Sequence, residues 1–389
     1  MNNDQRALYL NLLNDAVESA LKACVPGALR WNYETGLVLG AIKRASGKYF
    51  AHRYDGLVAE LVDSLVAPDG SIHGYLKEEY NLDQINSGKV VFDVWKDSGD
   101  ARYGAAVESL MNQLATQPRT DSGAFWHKKI YPYQVWLDGL YMFGPFYARY
   151  AAEFSRPELF RDLCGQLLHV RDTMKDSATG LYYHAWDESR RQRWSNPGSG
   201  LSPHIWGRAV GWLSMALIDI LDWLPADHAA RPEIEEMFCD LMSSAAAAQD
   251  GSGLWFQILD MPTRAGNYLE ESVSSMFIYS MYKGMGKGIL GSETGSTVGT
   301  ARSAAIGEEG FSAAADRALA GLVARFVSKD ETGRLHVNGI CKVAGLGGNP
   351  YRDGSFAYYM SEPIVSDDFK GSGPFILALC EALGEGLAR

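Results

Sequence analysis

Gly123-Ala-Phe-Trp-His-Lys-Lys-Ile-Tyr-Pro-Tyr-Gln-Val-Trp-Leu-Asp-Gly-Leu-Tyr-Met-Phe-Gly-Pro-Phe-Tyr-Ala-Arg-Tyr150 reads as an aromatic loop running into an apolar helix, and its opening recurs along the chain. Further copies start as Gly70-Ser-Ile-His, Gly180-Leu-Tyr-Tyr-His, Gly253-Leu-Trp-Phe-Gln and Gly333-Arg-Leu-His. Each follows a polar helical segment and precedes an apolar one, so the unit is outer helix, aromatic loop, inner helix, repeated every ~50–80 residues. Aromatics gathered in loops at one end of every hairpin are placed to line the mouth of a cavity. The competing reading is that they cap the core.

On either side of this stretch, apolar residues recur at i, i+3, i+4 and i+7, and strand-length alternation is nearly absent. Twelve helices are expected, starting near residues 5, 31, 50, 81, 100, 132, 158, 205, 231, 269, 310 and 366. Twelve helices make six hairpins. Such hairpins stack as an open solenoid or close into a ring. Neither terminus carries a polar capping pair, and the last segment, Gly373-Pro-Phe-Ile-Leu-Ala-Leu-Cys, is as apolar as the central ones. An apolar end must be covered, and the first hairpin is the available partner. The expected fold is therefore all-α, an (α/α)6 barrel formed as a six-hairpin toroid. It should span residues 1–389 as a single catalytic domain, with a flexible Gly/Ser/Thr-rich insertion around 288–309.

The composition agrees with one large core. At 389 residues the chain is long for a single domain, but 47 % hydrophobic and 21 % charged residues are ordinary for a globular protein. A net charge of −11 offers no basic footprint for nucleic acid or an anionic membrane. No run approaches the roughly 20 apolar residues that cross a bilayer. The first 25 residues lack a basic segment followed by an apolar run, so a cytoplasmic location is expected. Five widely spaced cysteines, Cys24, Cys164, Cys239, Cys341 and Cys380, read as reduced, buried thiols.

The chemistry-bearing residues fall in the loops and the starts of the inner helices. Asp138 is the only acid between Tyr131 and Tyr150. Set among Trp136, Leu137, Leu140 and Tyr141, its carboxyl would be desolvated, which disfavours ionisation and suits a general acid near neutral pH. The alternative is a buried Asp that ties two helices together. Asp83, in Asn81-Leu-Asp-Gln-Ile-Asn-Ser-Gly, starts the fourth helix, where capping competes with catalysis as its role. Two carboxylates on successive inner helices would face one another, the usual equipment of sugar chemistry. Arg208 and Trp212 stand four apart on one helical face, a cation for a uronate carboxylate beside an indole for the sugar face. Core packing and a structural ion pair are their alternatives. His127, Lys128 and His184 lie in the aromatic loops and can hold a sugar carboxylate or hydroxyl. No metal-binding spacing, nucleophile elbow, P-loop or dinucleotide fingerprint is present, so no metal or cofactor is expected.

Several segments, in order and over nearly the whole chain, resemble family 105 of the glycoside hydrolases, the unsaturated rhamnogalacturonyl hydrolases. They are Trp31-Asn-Tyr33, Leu82-Asp-Gln-Ile-Asn-Ser-Gly, Phe125-Trp-His-Lys, Tyr131 to Met142, Gly180-Leu-Tyr-Tyr-His-Ala-Trp-Asp, Trp206-Gly-Arg-Ala-Val-Gly-Trp and Asn338-Gly-Ile-Cys-Lys-Val-Ala-Gly-Leu-Gly-Gly. The resemblance implies release of a 4,5-unsaturated uronic acid by hydration of its C4=C5 vinyl ether. Asp138 would protonate C4 and then activate water, and Asp83 would orient the sugar or stabilise the developing cation. Tyr33, His127, Lys128, His184, Arg208 and Trp212 would complete the uronate subsite. The implied partner is a small oligosaccharide carrying an unsaturated uronate, most directly the rhamnogalacturonan disaccharide, with the protein a monomer or weak homo-oligomer. Competing readings are an unsaturated glucuronyl hydrolase for glycosaminoglycan, ulvan or arabinogalactan fragments, a sugar epimerase using histidine pairs, and a non-enzymatic helical-repeat binding protein.

Overall fold

The structure, a computed structural model, describes residues 2–25, 27–291 and 310–385. Most of the expected insertion around 288–309 lies outside the described residues. Among those residues the helices are α1 (Asn3–Ala23), α2 (Tyr33–Tyr49), α3 (Asp55–Asp63), α4 (Gly88–Ser98), α5 (Ala101–Leu114), α6 (Leu137–Glu153) and α7 (Pro157–Met174). They continue with α8 (Gly207–Ile220), α9 (Arg231–Ala247), α10 (Glu271–Gly286), α11 (Gly310–Phe326), α12 (Phe356–Ser361) and α13 (Phe369–Glu385). Neighbours α2, α4, α6, α8, α10 and α13 pack side by side in that order, and α13 returns against α2. The ring is closed. Helices α1, α3, α5, α7, α9 and α11 form the outer layer, each leading into an inner helix, which is the (α/α)6 barrel read from the sequence.

Composition explains which helix goes where. Every residue of α8 from Gly207 to Ile218 is buried, and so is every residue of α10 from Glu271 to Gly284. A helix apolar all round has to be covered all round. Outer α5 instead buries Tyr103, Ala106, Val107, Leu110, Met111 and Leu114, a stripe at helical spacing. Helix starts carry their own signals: Asn2 and Gln5 form a capping box on α1, Asp100 caps α5, and Pro157 opens α7.

Gly36 lets α2 approach the start of α4 closely, because a Cβ there would run into the backbone of Ser87. The repeat glycines have a backbone reason. Gly70, Gly123, Gly180, Gly253 and Gly333 all adopt positive φ, between +75° and +99°, in the connections that follow α3, α5, α7, α9 and α11.

At the far end of the inner ring, charged pairs join neighbours. Arg149 of α6 meets Asp93 of α4 at 2.6 Å, Lys283 of α10 meets Asp219 of α8 at 2.6 Å, and Arg44 of α2 meets Glu381 of α13 at 2.5 Å. Inside α6, Pro145 cannot donate to the carbonyl of Tyr141, and Lys89 Nζ approaches that oxygen at 3.4 Å instead.

Three of the expected helix starts come late, each for a local reason. Ala51 and His52 take positive φ, which delays α3 to Asp55. Leu82–Ile85 is a separate short 3-10 helix ahead of α4. Residues Gln134–Trp136 form β1, paired antiparallel with β2 (Ala185–Asp187), which delays α6 to Leu137. Two further pairs, β3 (Val327–Lys329) with β4 (Leu335–Val337) and β5 (Ile340–Cys341) with β6 (Ile364–Val365), and the short α12 were not foreseen. No described helix is long and apolar enough to cross a membrane. All five cysteines are free, and Cys239 alone is only partly buried.

Candidate active site

The inner helices begin at the same end of the barrel, and their first turns carry the candidate residues. Tyr33 opens α2, Asp138 is the second residue of α6, and Arg208 is the second of α8. Asp83 lies in the 3-10 turn before α4. Partial positive charge at six converging helix N-termini favours an anionic ligand and tolerates acids. Backbone bonds tie the loops together: Leu82 N–H donates to His127 O at 3.1 Å, and Leu137 N–H donates to His184 O at 3.1 Å. The β1–β2 pairing, with Trp136 opposite Ala185, holds the loop of His184 beside the start of α6.

Asp83 is tightly held. Its Oδ2 accepts from Lys128 Nζ at 2.6 Å, and His127 Nε2 stands 3.5 Å from Oδ1. Burial raises the Asp83 carboxyl, but Lys128 and His127 outweigh it and keep it below the usual carboxylate range. Lys128 is the counterpart: burial alone would lower it, yet Asp83 holds it above its ordinary value. Burial pushes the His127 imidazole down to about 4 despite Asp83, so it is neutral at physiological pH. The helix cap here is Asn81, whose side chain accepts from Asp83 N–H at 3.0 Å, so Asp83 does not cap.

Asp138 has no such partner. Its side chain is 15 % exposed, and Oδ2 faces His184 Nε2 at 3.4 Å without hydrogen-bond alignment. Both atoms are buried and otherwise unpartnered. The other ring nitrogen of His184 is fixed by the Tyr359 hydroxyl at 2.7 Å, and Trp206 and Trp136 pack on the ring at 4.7 and 5.2 Å. The two carboxylates share surroundings: each acts electrostatically on His127, Lys128 and Tyr33. The Tyr33 phenol is driven well above its usual value by burial, then by Glu34, Asp83 and Asp138, with Arg208 opposing.

Arg208 and Trp212 differ from expectation. Arg208 is 1 % exposed, and its guanidinium donates to Ser272 Oγ at 2.9 Å and to the Cys341 carbonyl, with Glu270 Oε1 at 3.5 Å. Only Nη1 is left without a partner. Trp212, 1 % exposed, presents no open face to a sugar. It stacks on Tyr141 at 4.7 Å and sets its edge toward Tyr33 at 6.3 Å, so it backs the site from below. A helix buried on all sides turns the i, i+4 face inward as packing, which the spacing of Arg208 and Trp212 does not reveal.

Three residues around the site escaped the sequence reading. Glu270 is fully buried, caps α10 through Val273 N–H at 2.9 Å and balances Arg208. Glu271, also fully buried, is pushed up to about 8 by burial and Glu270, against the hydrogen bond from Ser275. Tyr359 of α12 orients His184. The first-turn positions of the tenth helix were a usable signal for the two acids. Among the described residues no three His, Cys, Asp or Glu side chains are grouped to hold a metal ion.

Comparison with known proteins adds an independent line. The profile of Glycosyl Hydrolase Family 88 matches residues 13–384. A C. acetobutylicum ATCC 824 glycoside hydrolase from family 105 superposes with a TM-score of 0.88 at 40 % identity, over 95 % of this chain and 98 % of that one. The 24.9 kDa protein in picA locus of Rhizobium radiobacter is 44 % identical over 242 residues, 61 % of this chain and 97 % of that protein. The unsaturated rhamnogalacturonyl hydrolase YesR of Bacillus subtilis is 29 % identical over 254 residues, 63 % of this chain and 68 % of that protein. A closed six-hairpin ring, two carboxylates at its helix starts and a match over nearly the full length agree: the chain belongs to Glycosyl Hydrolase Family 88 and, with its family 105 relatives, is a glycoside hydrolase of the unsaturated uronyl type.

Proposed function

We propose that the enzyme releases a 4,5-unsaturated uronic acid from the non-reducing end of lyase-generated oligosaccharides, with the unsaturated rhamnogalacturonan disaccharide as its substrate. The name borne by the Bacillus subtilis relative supports that choice of sugar. The observation that carries the reading is the inequality of the two carboxylates. Lys128 grips Asp83 at 2.6 Å, whereas Asp138 meets only His184, at 3.4 Å.

Asp138 gives its proton to C4 of the vinyl ether. The π electrons form the new C–H bond, and positive charge develops on C5 and the ring oxygen, close to ionised Asp83. Asp138, now a carboxylate, takes a proton from water as the water oxygen bonds to C5. The resulting hemiketal opens and the aglycone departs, with no attack at the anomeric carbon. Lys128 is the cation for the uronate carboxylate, with buried Arg208 adding positive charge from behind Tyr33, and His127, His184 and Tyr33 hold its hydroxyls.

Unsaturated uronides absorb in the ultraviolet, and hydration abolishes that absorbance. With the unsaturated rhamnogalacturonan disaccharide, absorbance should fall in step with release of the reducing sugar. Sugar released while the absorbance persists would overturn hydration; no change in either would overturn the proposed substrate.

A further inference from the structure

Outside the carboxylate site, a cavity of about 600 Å³ opens beside Tyr131, lined also by Gln134, Gln192, Gly347, Gly348 and Arg352. That volume lies within the range of small-ligand sites and exceeds one pyranose. Its lining residue Tyr131 packs, with Tyr351, against a small hydrophobic cluster apart from the main core, Trp136, Ala185, Trp194 and Leu346. Tyr131 connects the cavity to the carboxylates: its ring stacks on Trp136 at 5.0 Å and lies 6.0 Å from Lys128 Nζ, which holds Asp83.

The rest of the lining comes from residues 347–352, which the uronate subsite leaves unused. Gly347 and Arg352 exchange backbone hydrogen bonds of 2.8 and 3.1 Å. The Arg352 side chain donates to Gly347 O at 3.0 Å and to the Tyr131 hydroxyl at 2.9 Å. Among the described residues no carboxylate pairs with this guanidinium, and no acid lines the cavity. Trp136 Nε1–H donates to Gln134 Oε1 at 3.1 Å, so the Gln134 amide is already oriented.

We propose that this cavity receives the sugars next to the unsaturated uronate, and that Arg352 selects acceptors bearing an anionic group, a second uronate's carboxylate or a sulfate ester. An arginine held by neutral acceptors keeps its full charge for an incoming anion. The inference rests on the uronyl hydrolase reading and extends it to the leaving group.

The test compares kcat/KM by absorbance loss for four substrates at low and high salt. They are the unsaturated rhamnogalacturonan tetrasaccharide, which carries a second uronate, its analogue carboxyl-reduced at that sugar, and the unsaturated rhamnogalacturonan disaccharide with and without acceptor sulfate. At low salt one charged substrate should exceed its matched neutral by about tenfold, the scale of one charge-assisted hydrogen bond. Which pair shows the effect identifies the anion. The ratio should shrink with salt and in Arg352→Gln, and stay unchanged in Lys329→Gln, which alters an exposed pair with Asp15. Equal rates within both pairs for the wild type remove this inference alone, whether or not the Arg352 variant folds, as does an Arg352→Gln enzyme that keeps the full preference. No turnover of any of the four removes the functional reading and this inference with it.

Discussion

Replacing Glu271 with Gln should raise stability at alkaline pH. The side chain is fully buried, its Oε1 accepts from Ser275 Oγ at 2.6 Å, and its Oε2 has no partner. Glu270, Arg208 and Asp368 are the charges that act on it. Burial pushes its carboxyl up to about 8 in the folded protein, against 4.5 for a free glutamate, so the native state binds the extra proton between those limits. Stability from this group is therefore complete below about 4.5 and is lost as pH rises through about 8. The loss is about 1.4 kcal/mol per pH unit, and about 5 kcal/mol over the whole interval of about 3.5 units. Gln keeps the shape and cannot ionise. Urea unfolding of both proteins at pH 5, 7 and 9 should give curves that diverge as pH rises, the wild type falling away. Curves that stay parallel across that range would refute the argument that Glu271 is neutral in the fold.

Three other substitutions follow from the same geometry. Lys128→Met removes the cation that holds Asp83 down while leaving it buried, so the acid limb of the kcat/KM profile should move up by about 1–3 pH units; an unmoved limb would exclude Asp83 from the ionisations that matter. Glu270→Ala strands the buried Arg208 guanidinium and should cost about 3–5 kcal/mol in chemical denaturation, and a loss below 1 kcal/mol would show that the Ser272 and Cys341 contacts suffice. Gly36→Ala would ordinarily stabilise a helix by ~0.5–1 kcal/mol, but overpacking against Ser87 should reverse the sign and cost ~1–3 kcal/mol. A more stable Gly36→Ala protein would contradict the tight approach of α2 to α4.

The ring was legible because its cause is spread over the whole chain. Six hairpins need twelve helices, and the repeat glycines advertise the turns by a backbone conformation that other residues adopt at a cost. The apolar final helix announced that something must cover it, and α2 does. What stayed out of view depends on contacts between segments distant in sequence. The β1–β2 ladder joins residues about fifty apart, which periodicity cannot register. Asp83, His127, Lys128, Asp138 and His184 were singled out because loops and first turns concentrate unsatisfied chemistry, and the fold brings them together. Asp138's isolation and Asp83's capture by Lys128 are products of assembly. Trp212 misled because an indole four residues from an arginine looks the same whether it faces a ligand or a neighbouring helix. His73 and His336 belong to the same repeat as His127 and His184, but His73 is exposed and His336 is occupied by Asp367 at 2.6 Å. Repeat membership therefore does not by itself confer a place in the site.

The central claim is that Asp138 supplies the proton, and its most direct measurement is turnover of the unsaturated rhamnogalacturonan disaccharide by Asp138→Asn. The amide keeps the size and polarity beside His184 but cannot donate and recover a proton in the same way. The account predicts an unfolding midpoint close to wild type and turnover lowered at least ~100-fold, the scale of a lost general acid. Turnover within a few fold of wild type in a correctly folded variant would contradict it.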